Sequence, residues 1–389
     1  MRILVAPDKF KGSLTATEVA AALVAGIKEG CSADHSENQY SIVTQPIGDG
    51  GEGTMALIAE SRGLNRENVT VTGPMGRPVA AEYFWGQDEA YLEMASASGL
   101  GLVSPEERNP EYATTFGTGE LILRASESVT KRINVGLGGS ATIDGGMGCL
   151  AALGYRFLDR LGRPLKLPRP ENMVPIASIL SSVAEVQPPA ATQYRATLRI
   201  VADVTSPLNG PTGAIARFAR QKGLSESKLD EYANAMESFS MVCERSLELR
   251  VASTPGAGAA GGLGFGLLLA GASLEPGFRF FAQAVQLENW MDVDLAITGE
   301  GKLDAGSLEG KGPGSLAQML KQKGIPCIAF CGKLEEADRI EASNLFEAIY
   351  EIGQGRTSLD SVQNAAQYLK EAARDSITDW LGRRRGGGS

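Results

Sequence analysis

With 389 residues, 43% of them hydrophobic, the chain is long enough for two domains or for one with a large insertion. A formal net charge of −9 excludes a non-specific nucleic-acid binder, which needs a basic face, and no apolar run approaches the ~20 residues that cross a bilayer. The single histidine, His35, sits in a polar stretch and removes Ser-His-Asp and Cys-His triads and most zinc sites. Five scattered cysteines give neither a disulfide framework nor a CxxC pair, which leaves the chemistry to Asp, Glu, Lys and backbone N–H groups.

In chain order, the first element is a short apolar strand, Ile3 to Ala6, too short for a signal-peptide core; the expected location is cytoplasmic. Thr15 and Glu18 form a capping box, and Val19, Leu23, Val24 and Ile27 make the inward stripe of a helix expected to end at Gly30. Ser41 to Gln45 reads as a second strand, closed by Gly48-Asp49-Gly50-Gly51-Glu52-Gly53 and followed by a helix. Such alternation predicts a parallel sheet covered on both faces.

From about residue 70 the pattern changes to strands at 69–72, 79–85 and 90–94, as in a mixed sheet. Strands at 133–135 and 198–202 follow, with a loop and short helix between 160 and 190 and a Gly-rich helix entry at 255–264. The βα rhythm returns after Asp294, with strands at 295–297, 327–330 and 346–352 and a helix over 361–373. The expected architecture is a discontinuous parallel-sheet α/β domain from residues 1–71 and 288–382, with an α+β domain, 72–287, inserted. Residues 383–389 have no apolar face and read as a disordered tail.

Polar, glycine-rich segments follow several of these strands, where an open α/β sheet places its ligand crevice. Pro7-Asp8-Lys9-Phe10-Lys11-Gly12-Ser13 sets two cations and a carboxylate beside a helix N-terminus that favours phosphate. Residues 136–146 hold five glycines, Ser140, Thr142 and Asp144; glycines let backbone N–H groups approach an anion. This is neither a Walker A loop nor a dinucleotide fingerprint. Gly258 and Gly262 lie in a third run, 255–266, whose small residues suit either ligand approach or close helix packing. Thr298-Gly299-Glu300-Gly301-Lys302-Leu303-Asp304, followed by Gly310-Lys311, offers carboxylates for Mg²⁺ and a cation for phosphate. Asp203 ends an apolar strand and is either a cap for the next segment or a functional carboxylate.

Taken together and in this order, these segments resemble the class I glycerate kinase family over nearly the whole chain. The resemblance is carried by Ala6 to Leu14, Asp49 to Thr54, Thr72-Gly73-Pro74, Glu93-Met94-Ala95, Thr118 to Ile122, Gly138 to Thr142, Pro255 to Gly262 and Thr298 to Gly301. It implies ATP-dependent, Mg²⁺-assisted phosphorylation of D-glycerate, usually on the 2-hydroxyl, by a flavodoxin-like domain carrying a second domain, with the site in the cleft between them. A homodimer is compatible with it. The chain departs from the family at Ala305-Gly306-Ser307, where a Gln and a Thr are common, and at Ile143, commonly polar.

On this reading Lys11 and Lys311 neutralise phosphate, while Gly138, Gly139, Ser140, Thr142 and Asp144, with Gly258 and Gly262, hold the nucleotide. Glu300 or Asp304 sits by Mg²⁺, and Asp8 or Asp203 is the base. Lys9 or Arg77 meets the glycerate carboxylate, and Asp49 and Glu52 are further substrate candidates. The competing readings are a kinase for another small hydroxy acid and a non-catalytic nucleotide or phosphate sensor. The sensor gains nothing from so many carboxylates beside an anion site. A nicotinamide-dependent dehydrogenase fails on the missing fingerprint.

Overall fold

The structure, a computed structural model, describes residues 1–33, 40–129, 131–168, 174–308, 311–355 and 357–386. His35 and Gly310 lie outside them. In chain order the strands are β1 (Arg2–Val5), β2 (Ser41–Thr44), β3 (Asn65–Thr72), β4 (Pro78–Gly86), β5 (Glu89–Glu93), β6 (Arg132–Gly136) and β7 (Arg156–Leu158). They continue as β8 (Glu185–Gln187), β9 (Thr197–Val201), β10 (Ser273–Glu275), β11 (Leu295–Leu303), β12 (Cys327–Leu334) and β13 (Ala348–Glu351).

Two compact units result. The first comprises residues 1–49 and 278–389 and is built on an all-parallel sheet of order β2-β1-β11-β12-β13. Its central strands are apolar runs with both faces covered, as a parallel sheet requires: Ile3, Leu4, Val5, Leu295, Ala296 and Ile297 are all fully buried. The order is the flavodoxin-like 2-1-3-4-5, and it reverses direction between β1 and β11. In such sheets the ligand crevice opens at the carboxyl ends of the two strands flanking that reversal.

The capping box forms as expected. Thr15 N–H donates to Glu18 Oε2 at 2.8 Å and Glu18 N–H to Thr15 Oγ1 at 3.3 Å, which starts the helix Ala16–Ala33. That helix runs through Gly30 instead of ending there, because Gly26 and Gly30 serve packing. A Cβ on Gly26 would lie 2.1 Å from Lys370 O, and one on Gly30 would lie 2.5 Å from the Ile377 side chain. The partner is the helix Ala365–Gly386, and Leu23, Ile27, Leu369 and Ile377 are fully buried around the contact, each contributing about 1.5–3 kcal/mol. The helix is described as far as Gly386, and residues 387–389 of the expected tail lie outside the described residues.

The second unit, residues 50–277, holds a six-stranded sheet of order β10-β9-β6-β5-β4-β3. Its first four strands are parallel, and β4 and β3 are added antiparallel. The helix Phe116–Ser128 packs in the sheet's core cluster through Leu121, Ile122 and Ala125. A second cluster gathers Phe157, Phe239 and Phe265 around the helix Leu229–Leu247, with ring centroids 5.9 and 6.2 Å apart. The units divide at 49/50 and 277/278, where the sequence places the boundaries at 71/72 and 287/288. The reason is local: β3 pairs along its whole length with β4, which carries residues 65–72 into the mixed sheet. Among the described residues no helix is long and apolar enough to cross a membrane.

Candidate active site

In the first unit, pairing continues past the end of β1. Ala6 N–H donates to Ile297 O and Asp8 N–H to Gly299 O, each at 2.8 Å, so Asp8 is set beside Glu300 at the point where the strand order reverses. Asp8 is only 6% exposed, and its Oδ1 accepts from Lys9 N–H at 2.6 Å. Burial, reinforced by Asp49, pushes the Asp8 carboxyl up to about 7 against the opposing pull of Lys9. Lys9 Nζ lies 3.6 Å from Asp49 Oδ1.

Glu300 is pushed further, to about 8. Burial is the main cause, the Ser307 hydrogen bond works against it, and the neighbouring charges of Asp8, Asp304 and Asp49 add to it. Its Oε1 is buried with no hydrogen-bond partner among the described residues. Ser307 also donates from its backbone N–H, at 3.3 Å, and its hydroxyl, at 3.4 Å, to Asp304 Oδ1. Two glycines allow the close approach around this cluster. A Cβ on Gly312 would sit 3.0 Å from Asp8 Oδ2, so the start of the helix Gly312–Gln322 lies against that carboxyl. A Cβ on Gly306 would be 3.3 Å from Asp304 Oδ1 and 3.4 Å from Lys311 Nζ, which brings this lysine to the same place.

In the second unit, the loop after β6 is held from beneath. Asp144 is fully buried; its Oδ2 accepts from Thr115 N–H and Oγ1 at 2.8 Å each and from Gly148 N–H at 3.2 Å, and Oδ1 accepts from Gly146 N–H at 3.1 Å. Burial raises its pKa, and these hydrogen bonds pull it back. Lys222, 3% exposed, donates to Ser140 Oγ at 2.6 Å and to Thr142 O at 2.7 Å. Burial pushes its ammonium down to about 7 while Asp144 works to keep it charged. Gly139 is left-handed (φ 73°) and exposed, and the loop crosses Gly51 closely enough that a Cβ on Gly138 would be 2.6 Å from Gly51 Cα.

A family model for the glycerate kinase family matches residues 3–381. The chain is 38% identical over 384 residues to the glycerate kinase of Bacillus subtilis strain 168, covering 96% of each chain. It is 37% identical over 375 residues to the glycerate 2-kinase of Escherichia coli K12, covering 94% of each. A crystal structure assigned as glycerate kinase 2 from Salmonella typhimurium LT2 superposes with a TM-score of 0.79 at 32% identity, over 99% of both chains.

The chain belongs to the glycerate kinase family.

Against this glycerate kinase frame the sequence candidates separate into groups. Asp8, Lys9, Asp49, Glu300, Asp304 and Lys311 gather at the carboxyl ends of β1 and β11, whereas Lys11 is exposed. Gly139 is the exposed point of the second unit's loop, flanked by half-buried Gly138 and buried Ser140, with Glu52 Oε2 near Gly139.

Four sets of candidates make other contacts. Asp144 has both oxygens committed to protein donors beneath the loop, which it holds in shape. Gly258 and Gly262 are packing glycines: a Cβ on Gly258 would be 2.2 Å from Pro207 O, and one on Gly262 2.7 Å from Gly145 Cα. Arg77, 71% exposed at its side chain, pairs with Glu107 at 3.2 Å on the surface. Asp203 caps a remote segment rather than the next one, its Oδ1 accepting from Gly277 N–H at 2.6 Å at the start of the helix Gly277–Ala284.

The cap carries an expected result. Asp203→Ala should cost about 1–2 kcal/mol in urea unfolding, as N-cap losses do, while Asp203→Asn keeps an acceptor oxygen and near-normal turnover. A fall of about 10²-fold or more in kcat for Asp203→Asn would return the base to this residue.

Sequence reasoning missed Lys222, Thr115 and Glu93. Glu93 accepts from Gly53 N–H and Met55 N–H at 2.9 Å each and so caps the helix Thr54–Arg62. Its place at the end of an apolar strand was the available signal. Lys222 sits in Arg220-Gln221-Lys222-Gly223, which reads as a solvated turn, and nothing in its spacing marks it.

Proposed function

We propose that this enzyme transfers the γ-phosphoryl group of ATP to D-glycerate, at the 2-hydroxyl. The observation that carries the reading is the pair of buried carboxyls, Asp8 and Glu300, raised to about 7 and 8 at the switch point of the parallel sheet. A carboxyl titrating near neutrality is suited to accept the hydroxyl proton as the phosphoryl group transfers. Asp8 is assigned that role. Lys311 and Lys11 are assigned to phosphate charge, Lys9 to the substrate carboxylate, and the Gly138–Ser140 edge to the nucleotide phosphates.

Glu300 and Asp304 fit Mg²⁺. They are hard oxygen donors whose mutual repulsion a cation relieves, and Glu300 Oε1 is a buried acceptor without a donor. Mg²⁺ is commonly held through one or two protein carboxylates, with waters and phosphate oxygens completing its shell. Bound there, Mg²⁺ would neutralise charge on the polyphosphate.

The test follows ADP release from ATP and Mg²⁺ with D-glycerate, L-glycerate or no acceptor, and identifies the product by phosphorus NMR. Release dependent on D-glycerate, with a 2-phosphoglycerate resonance, is expected. ATP binding without D-glycerate-dependent release would overturn the substrate, and a 3-phosphoglycerate product would overturn the regiochemistry.

A further inference from the structure

A lysine with 3% of its surface exposed needs a reason, because burying an ammonium costs several kcal/mol unless its protons are satisfied. Lys222 spends two protons on the loop, one on Ser140 Oγ at 2.6 Å and one on Thr142 O at 2.7 Å. Asp144, itself fully buried, supplies the opposing charge.

An ammonium has donors and no acceptor, whereas a hydroxyl has one donor and two acceptor lone pairs. When Lys222 donates to Ser140 Oγ, it occupies the acceptor side of that oxygen, and the Ser140 O–H must donate elsewhere. Among the described residues the hydroxyl has no other hydrogen-bond partner; Ser140 is 8% exposed and sits directly after Gly139, the exposed point of the loop. A phosphate oxygen, an acceptor only, fits that unspent proton, and a donor polarised by a cation makes a stronger bond.

We propose that Lys222 is a positioning residue for phosphate recognition, which fixes the Ser140 hydroxyl as a donor to a phosphate of the bound nucleotide. The inference rests on assigning the Gly138–Ser140 edge to the nucleotide.

A double-substitution cycle on ATP affinity, read by titration calorimetry, tests both levels separately. Ser140→Ala and Lys222→Met are each expected to weaken ATP binding about tenfold, the worth of one hydrogen bond. The double variant should bind about as weakly as either alone, because one interaction is lost in all three. Unchanged affinity in Ser140→Ala would overturn the loop assignment itself. Weakened binding in Ser140→Ala with none in a folded Lys222→Met, or an additive loss of about a hundredfold in the double variant, would overturn the role of Lys222 alone.

Should Lys222→Met fail to fold, ¹⁵N-lysine-labelled wild-type enzyme supplies the reading. The buried ammonium resonance, identified by its displacement in Ser140→Ala, should move on addition of ATP. A resonance unmoved at saturation would overturn the proposal.

Discussion

Asp8→Asn is expected to lower kcat by about 10²–10⁴-fold and, at the same time, to stabilise the protein. The first effect is the worth of a positioned general base. The second follows from linkage. Burial, with Asp49 alongside, raises the Asp8 carboxyl in the folded enzyme to about 7 from its ordinary 3.8. Below pH 3.8 it is protonated in both states and burial costs no ionisation energy. Between 3.8 and 7 the unfolded chain releases a proton that the folded chain keeps, so stability falls as pH rises through that window.

An asparagine carries no such penalty, and at pH 7 the variant should gain about 1–3 kcal/mol. Thermal melts from pH 5 to 8 check this: the curves of enzyme and variant should diverge with rising pH, the variant melting higher. Wild-type turnover should rise with pH through about 7, a dependence that Asp8→Asn removes. A variant with kcat within tenfold of wild type, or one that melts lower at pH 7 than at pH 5 by as much as the enzyme does, would remove Asp8 from the base role. Holding a carboxyl in a state that disfavours its own charge is the trade of stability for chemistry that marks active sites.

How much of this was legible beforehand divides along a physical line. Strands buried on both faces declare themselves as apolar runs, which is why β1, β11 and β12 were each found within a few residues of their starts. The strand-end rule named Asp8, Glu300 and Asp304 as candidates, and the structure sets these carboxylates together. The capping box at Thr15 and Glu18 was readable because its two partners are three residues apart.

What failed depends on contacts between distant segments. Gly30 reads locally as a helix stop, but it admits a helix whose residues come some 340 positions later. Gly258 and Gly262 look like ligand glycines until the backbone beneath them is seen. The left-handed run Ala260, Gly261 and Gly262 lets that segment meet the other loop, where a Cβ on Gly261 would be 1.9 Å from Thr142 O. β3 belongs to the sheet that pairs with it, and no residue in 65–72 says so alone. Lys222 is the plainest case: a lysine in a polar turn is ordinarily solvated, and only tertiary burial against Ser140 and Thr142 gives it a role.

Asp144 should prove the most costly single residue to the fold. Truncation in Asp144→Ala leaves the N–H groups of Thr115, Gly146 and Gly148 and the Thr115 hydroxyl without their acceptor in a fully buried place. It also removes the charge that opposes the burial-driven loss of the Lys222 proton. Breaking a buried charge network from one side costs about 3–5 kcal/mol, because the groups left behind can neither pair nor reach water. Asp144→Asn should cost less, since one oxygen survives to serve Thr115 and the amide forfeits only the bonds made by the other. Urea unfolding at pH 7 measures both. A loss below about 1 kcal/mol for the alanine variant would mean that the loop finds other partners when Asp144 is gone. A loss for asparagine equal to that for alanine would assign the whole effect to the charge. The expected ordering, alanine well below asparagine, places most of the energy in the acceptors that hold the Gly138–Thr142 loop in shape.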